Sequence, residues 1–186
     1  MPNKEKRMYY TTNYLSQMGS ILLAGDDENI VGLWLEGQKY YGGNIKFETV
    51  RKDDLPIFTI AKDWLDRYFN KEKPTISELP LAPVGGEFRR EVWNILCEIP
   101  YGECITYGDI AKTIAVKRGK EKMAAQAVGG AVGHNPISII IPCHRVVGAN
   151  GSLTGYGGGI DKKIKLLEHE GVDMSRFFTP IKGTAL

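Results

Sequence analysis

A thiol and an imidazole stand side by side at Cys143-His144. A thiolate is a strong nucleophile, and a nearby base or positive dipole makes it available near neutral pH. Cys143 is therefore the candidate nucleophile. In an extended chain, neighbouring side chains point to opposite faces, so His144 reaches Cys143 only through a bend at Pro142 or a bridging water. The plain alternative is a buried Cys143 that acts as an inert small hydrophobe. Cys97, on a helix near an apolar face, and Cys104, in a turn, have no such neighbour and read as structural. Three cysteines without a C-x-x-C pair make neither a disulfide framework nor a cysteine-rich zinc site. His134, His144 and His169 without an H-E-x-x-H pattern provide no metal cage, so no metal is expected. Gly155-Tyr156-Gly157-Gly158-Gly159 lacks the G-x-G-x-x-G spacing of a dinucleotide site and reads as a loop built for close backbone approach. No cofactor is expected.

The elements that must position this pair lie in a second unit of the chain. A helix is expected over 87–97, with Phe88, Val92, Ile95 and Leu96 on one side. Pro100-Tyr101-Gly102 ends it. Thr106-Tyr107-Gly108-Asp109 reads as a helix start, with Thr106 as N-cap answered by Asp109. A slim Ala/Gly-rich helix is expected over 122–132. Two short helices joined by a loop fit either a helix-turn-helix or an ordinary helical hairpin. Ile137-Ser138-Ile139-Ile140-Ile141 fits a strand or extended segment buried on both sides, with Cys143 at its exit. Asn135, before Pro136, reads as a turn former. A last helix over 161–170, ended by Gly171, directs Ile164, Leu166 and Leu167 inward and leaves Glu170 as a surface acid at its end.

The first eighty residues read as a small α/β unit. Runs 8–12, 20–24 and 30–36 are β-prone, the last two forming a hairpin, and 56–68 carries apolar residues at helical spacing. Pro74, Pro80 and Pro83 punctuate a linker. The expected division is 1–80 and 81–186. With 186 residues, 42% of them hydrophobic and 25% charged, the composition excludes a disordered or fibrous chain. No apolar run is long enough for a membrane span, and MPNKEKRMYY has no apolar segment behind it, so a cytoplasmic protein without membrane partners is expected. A formal charge of +2 does not by itself imply nucleic acid. Between Lys112 and Lys122, however, five basic residues face one acid, Glu121. That stretch reads either as a phosphate-facing patch or as a solvated loop.

The run Ile139-Ile140-Ile141-Pro142-Cys143-His144-Arg145-Val146 resembles the active-site signature of the O6-alkylguanine-DNA alkyltransferases, the methylated-DNA–protein-cysteine methyltransferases. The likeness continues through Phe88, Val92-Trp93, Ile99-Pro100-Tyr101-Gly102, Thr106-Tyr107, Ala127-Val128-Gly129, Asn135-Pro136, Gly155-Tyr156 and Leu166-Leu167 to Glu170-Gly171. The first unit is similar to the family's variable N-terminal domain. The resemblance implies an α/β (α+β) protein: a small N-terminal ribonuclease-H-like domain, then a catalytic winged helix-turn-helix. It implies a monomer that flips an O6-alkylated guanine out of double-stranded DNA and moves the alkyl group irreversibly, once, onto Cys143.

By the same resemblance, His144 acts on Cys143 through a water, Glu170 orients the imidazole, Asn135 holds the turn and Tyr107 donates to the departing purine. Val146 reads the base edge, and Tyr156, Gly157 and Gly158 wall the pocket. The slim helix, with Ala125 and Gln126, lies in the minor groove, while Lys122 and Arg145 meet phosphates. Gln126 stands where many members carry a base-flipping arginine, and the zinc ligands of some N-terminal domains are absent. Two rivals are a non-catalytic DNA-binding regulator and a Cys-His hydrolase that turns over.

Overall fold

The computed structural model describes residues 7–43, 45 and 49–181. The charged opening at 1–6 lies outside them. Strands β1 (Tyr9–Ser16), β2 (Gly19–Gly25) and β3 (Ile30–Leu35) form an antiparallel meander, and the short β4 (Thr49–Arg51) adds parallel to β1, giving the order β3-β2-β1-β4. Helix α1 (Pro56–Phe69) starts on a proline whose missing N–H is no loss in a first turn. It buries Phe58, Ala61, Trp64, Leu65 and Tyr68. Gly43 and Gly32 both lie against the Trp34 ring, where a Cβ would collide with indole carbons.

The second unit comprises α2 (Glu87–Cys97), β5 (Ile105–Thr106), α3 (Tyr107–Lys117), α4 (Ala125–Gly133), β6 (Val146–Val147) and α5 (Ile160–His169). Thr106 and Asp109 close the expected capping box: Asp109 N–H donates to Thr106 Oγ1 at 3.0 Å and the Asp109 carboxylate accepts from Thr106 N–H at 3.1 Å. Helices α3 and α4 form the helix-turn-helix, with the parallel pair β5-β6 beside it. Trp93 of α2 donates its indole N–H to Ala131 O at 2.9 Å, tying α4 down. Gly171, with φ of +79°, ends α5 through Gly171 N–H to Glu168 O and Val172 N–H to Leu167 O.

Three expectations need correction. Helix α4 begins at Ala125, so Lys122 precedes it in non-helical chain. Residues 137–141 are not a strand. Only Ile137 bridges β3, through Leu33 N–H to Pro136 O at 2.8 Å and Ser138 N–H to Leu33 O at 3.0 Å. The chain then coils back, with Ile139 at a φ of +68° and Ile141 N–H bonded to Ile137 O. An unbroken apolar run reports burial on all sides, and a buried turn satisfies it as well as a strand does. Ile164, expected inward, is only half-buried, while its neighbour Lys163 is fully buried.

One apolar core runs through both units. Leu33, Phe58 and Trp64 belong to the same packed cluster as Trp93, Ile110, Ile140 and Leu166. Among the described residues no helix is long and apolar enough to cross a membrane.

Candidate active site

Cys143 opens a single 3-10 turn, Cys143–Arg145, entered through Pro142. The dipeptide is thus bent rather than extended, and all three side chains are buried. Asn135 holds the approach to this turn. Its side-chain amide donates to Ile141 O at 2.7 Å, and its Oδ1 accepts from Ile137 N–H at 3.0 Å. The expected turn-former bonds its own backbone two residues on and also the carbonyl six residues on, which fixes the bend before Cys143.

Glu170, the C-cap of α5, is the centre of the polar network. Oε1 accepts from His144 Nε2 at 2.6 Å, Tyr68 OH at 2.7 Å and Arg145 Nη2 at 3.0 Å. Oε2 accepts from Arg145 Nε at 2.9 Å and Gly102 N–H at 3.2 Å. Burial alone would push the Glu170 carboxyl up, but the attraction of His144 and Arg145 and the hydrogen bonds from both hold it well below the usual carboxylate range. Burial also drives His144 below its ordinary value, toward the neutral imidazole. With His144 neutral, Arg145 is the charge that keeps Glu170 ionised. An ionised carboxylate only accepts, so Nε2 carries the imidazole proton and Nδ1 is the bare base. That Nδ1 is buried without a protein partner among the described residues.

Two expectations change here. Glu170 is not a surface acid but is buried under five donors. Arg145 does not face DNA phosphates: it is 6% exposed, forks onto Glu170 and donates Nη1–H to Ile99 O at 2.6 Å. A basic residue after Cys-His reads as a phosphate contact in sequence, whereas a guanidinium fork suits a buried carboxylate equally well.

Sequence reasoning missed Lys163. Its ammonium is fully buried and donates to two main-chain carbonyls, Val146 O and, at 3.0 Å, Thr154 O. No ion pair joins it to a carboxylate among the described residues. Burial brings Lys163 down to about 8, opposed by the charges of Cys143 and Cys104. Burial pushes the Cys143 thiol up, and against it act a hydrogen bond from Asn135, the Lys163 charge and the N–H groups of Cys143 and His144. The signal lay in the position of Lys163 between Ile160 and Leu166-Leu167 on the apolar face of α5.

The remaining expected residues gather around Cys143 or stand apart. Tyr107 is buried at the start of α3 and donates its phenol to Thr154 O at 3.1 Å, the carbonyl that Lys163 also uses. Burial raises the Tyr107 phenol, with the Cys143 charge adding to it, so it stays protonated and able to donate. The Tyr156 hydroxyl is buried without a protein partner among the described residues, and burial and Cys143 raise it too. Val146 is buried in β6 and offers its carbonyl to Lys163. Gly157 and Gly158 follow Tyr156, and a Cβ at Gly158 would strike the Tyr156 ring at 2.7 Å. Lys122, Ala125 and Gln126 are not buried and stand away from this cluster in sequence. Among the described residues no group of three or more His, Cys, Asp or Glu side chains is placed to hold a metal ion.

Known proteins share this arrangement of units. Residues 87–172 match the family model described as 6-O-methylguanine DNA methyltransferase, DNA binding domain, and residues 8–83 match its ribonuclease-like domain. The Haemophilus influenzae methylated-DNA–protein-cysteine methyltransferase is 44% identical over 87% of this chain and 86% of its own. The protein of that name from Methanosarcina acetivorans is 46% identical over 88% of this chain and 99% of its own. The crystal structure of Mycobacterium tuberculosis OGT in complex with DNA superposes with a TM-score of 0.72 at 41% identity, covering 91% of this chain and 94% of that one. At such identity over nearly the whole length, the chain belongs to the methylated-DNA–protein-cysteine methyltransferase family.

Proposed function

We propose that this chain repairs O6-alkylguanine in double-stranded DNA by direct reversal, with Cys143 as the acceptor. The observation that carries the reading is the buried thiol in a turn fixed by Asn135, beside a neutral imidazole whose free Nδ1 is a base and a lysine with no carboxylate. His144 Nδ1 takes the thiol proton through a bridging water. The thiolate then attacks the alkyl carbon, the S–C bond forms as the C–O6 bond breaks, and the electron pair leaves on the purine. Tyr107 donates the hydrogen bond or proton that neutralises the purine's developing charge. The proton taken by His144 passes back through the water to the departing purine, directly or by reprotonating Tyr107, which leaves neutral guanine, a neutral imidazole and a protonated Tyr107. Lys163 stabilises the thiolate before attack.

Val146 and the Tyr156-Gly157-Gly158 loop would line the flipped base. The exposed face of α4, with Ala125 and Gln126, would enter the minor groove, and Lys122 would meet the backbone. The thioether does not hydrolyse, so one molecule acts once. The division at residues 80 and 81, a monomeric state and a cytoplasmic location belong to this reading.

Intact mass spectrometry after incubation with an O6-methylguanine duplex tests it. One methyl group per protein, on Cys143, with unmodified guanine left in the DNA, is expected. Continued turnover, or a methyl group on Cys97 or Cys104, refutes it. Cys143→Ala is expected to abolish transfer and retain duplex binding.

A further inference from the structure

The loop after β3 does not stay with its own unit. Gln38 is buried, its Oε1 accepting from Leu35 N–H and from Ser138 Oγ–H, both at 3.0 Å. Lys39 N–H donates to Gly157 O at 2.8 Å. The Tyr40 ring stacks on His134 at the end of α4, with centroids 4.3 Å apart and an interplanar angle of 22°. Tyr40 holds a φ of +59°, an unusual backbone conformation for an aromatic residue, which persists where surrounding contacts fix it. Three attachments thus fix the position of Lys39.

What they create is a groove of about 210 Å³ between this loop and the exposed face of α4, walled by Lys39, Tyr40, Gln126, Gly130, Gly133 and Gly157. Among the described residues no acidic side chain lines it. Lys39 has no ion pair among the described residues and rests its ammonium 5.1 Å from the centre of the Tyr40 ring. Arg89 stands on the other side of the Tyr40-His134 stack, in an adjoining groove. A methyl group added at Gly130 or Gly133 would meet nothing within 4 Å, so the helix floor is bare backbone open to close approach. Gln126, at the other wall, contributes hydrogen bonding without charge.

We propose that Lys39 of the N-terminal unit binds a phosphate of the damaged strand, so that the DNA footprint extends from α4 across the domain junction and the charge absent at Gln126 is supplied by a different unit. This inference rests on the reading that α4 meets duplex DNA. Its occupant is a sugar-phosphate strand, because among the described residues the groove pairs a cation that has no carboxylate partner with a glycine floor and no acidic lining.

The test titrates an O6-methylguanine duplex into full-length protein carrying Cys143→Ala, so that no transfer depletes the complex, over a range of salt concentrations. Adding Lys39→Ala is expected to weaken binding about three- to tenfold at ~0.1 M salt and to lower the magnitude of the log–log salt slope by about one, as loss of one phosphate contact does. Lys39→Arg is expected to restore the slope, and Lys165→Ala, on an exposed turn of α5, to leave it alone. Thermal melting of each variant separates loss of contact from loss of fold. An unchanged slope in folded Lys39→Ala overturns the inference and leaves the repair function standing. Absence of duplex binding with Lys39 intact overturns both.

Discussion

Lys163 and Glu170 divide the electrostatic work around Cys143, and their substitutions should diverge. A lysine brought from 10.5 down to about 8 in the fold carries a penalty of about 3 kcal/mol at neutral pH, at 1.36 kcal/mol per unit. The unfolded chain binds the extra proton between those values, so this group's contribution to stability rises with pH across that window. Lys163→Met should therefore raise the denaturation midpoint at neutral pH while slowing alkyl transfer by tenfold or more, read by single-turnover kinetics. Equal transfer rates would remove Lys163 from the chemistry. Glu170 has the opposite sign. Its carboxyl is depressed in the fold, so its stabilisation is complete above the ordinary carboxylate value of 4.5 and is lost as pH falls through the folded one. Glu170→Gln should cost about 3–5 kcal/mol near neutrality by leaving Arg145 buried without its counter-charge. Urea titrations at decreasing pH should show that gap narrowing below the ordinary carboxylate value. The sequence made Cys143-His144 readable because adjacency is visible in one dimension. Arg145 was not, since a basic side chain in sequence carries no mark of burial; the place of Lys163 on the apolar face of α5 hinted at burial, but only tertiary contacts turned one toward Glu170 and the other toward two carbonyls.

Helix α2 was legible to its ends, whereas α4 was legible as a helix but not in where it starts. Its small residues announce a slim helix wherever the start falls, but no side chain caps Ala125, so nothing in the sequence marks the first turn. The exposed Gln126 belongs to this scale, because the proposed repair reading gives it the work of occupying space beside a helix rather than reacting. Gln has two donors and one acceptor and no charge, so in the proposed reading it would bond an orphaned base edge and leave the electrostatic part to other groups. Unstacking the target costs a few kcal/mol. Gln126→Ala should slow transfer from duplex DNA severalfold while leaving reaction with free O6-benzylguanine within about twofold, given that the truncated side chain forfeits about 1 kcal/mol of hydrogen bonding. Equal slowing with both substrates would place Gln126 in the pocket. The segment at 137–141 shows the reverse case. Its apolar run predicted burial correctly and geometry wrongly, because the bonds from Asn135 to Ile137 and Ile141 decide the path and do not show in hydropathy.

The two units behave as one molecule. Their shared core, the Leu33-Ile137 bridge and the Tyr68 hydroxyl on Glu170 all cross between the two units. Thermal unfolding should therefore be a single transition by both far-UV and near-UV circular dichroism, and two separated transitions would show independent units. Tyr68→Phe, which removes a donor from the other unit's carboxylate, should lower stability by about 1–2 kcal/mol without splitting that transition. The linker prolines and the hairpin pattern are what the expected division of the chain rests on. The contacts that cross it were not legible, because Tyr68 reads only as one more apolar residue on α1. The side chains that hold the site lean heavily on main-chain oxygens: Arg145 on Ile99, Asn135 on Ile141, and Lys163 with Tyr107 on Thr154. A carbonyl is the same whatever side chain its residue bears. Evolutionary drift at 99, 141 and 154 is thereby screened from the chemistry so long as backbone shape survives, and the genetic constraint concentrates on the donors. A saturation library scored for survival under alkylating stress should show that asymmetry, tolerant of shape-preserving replacements at the three acceptors and closed at 135, 145 and 163.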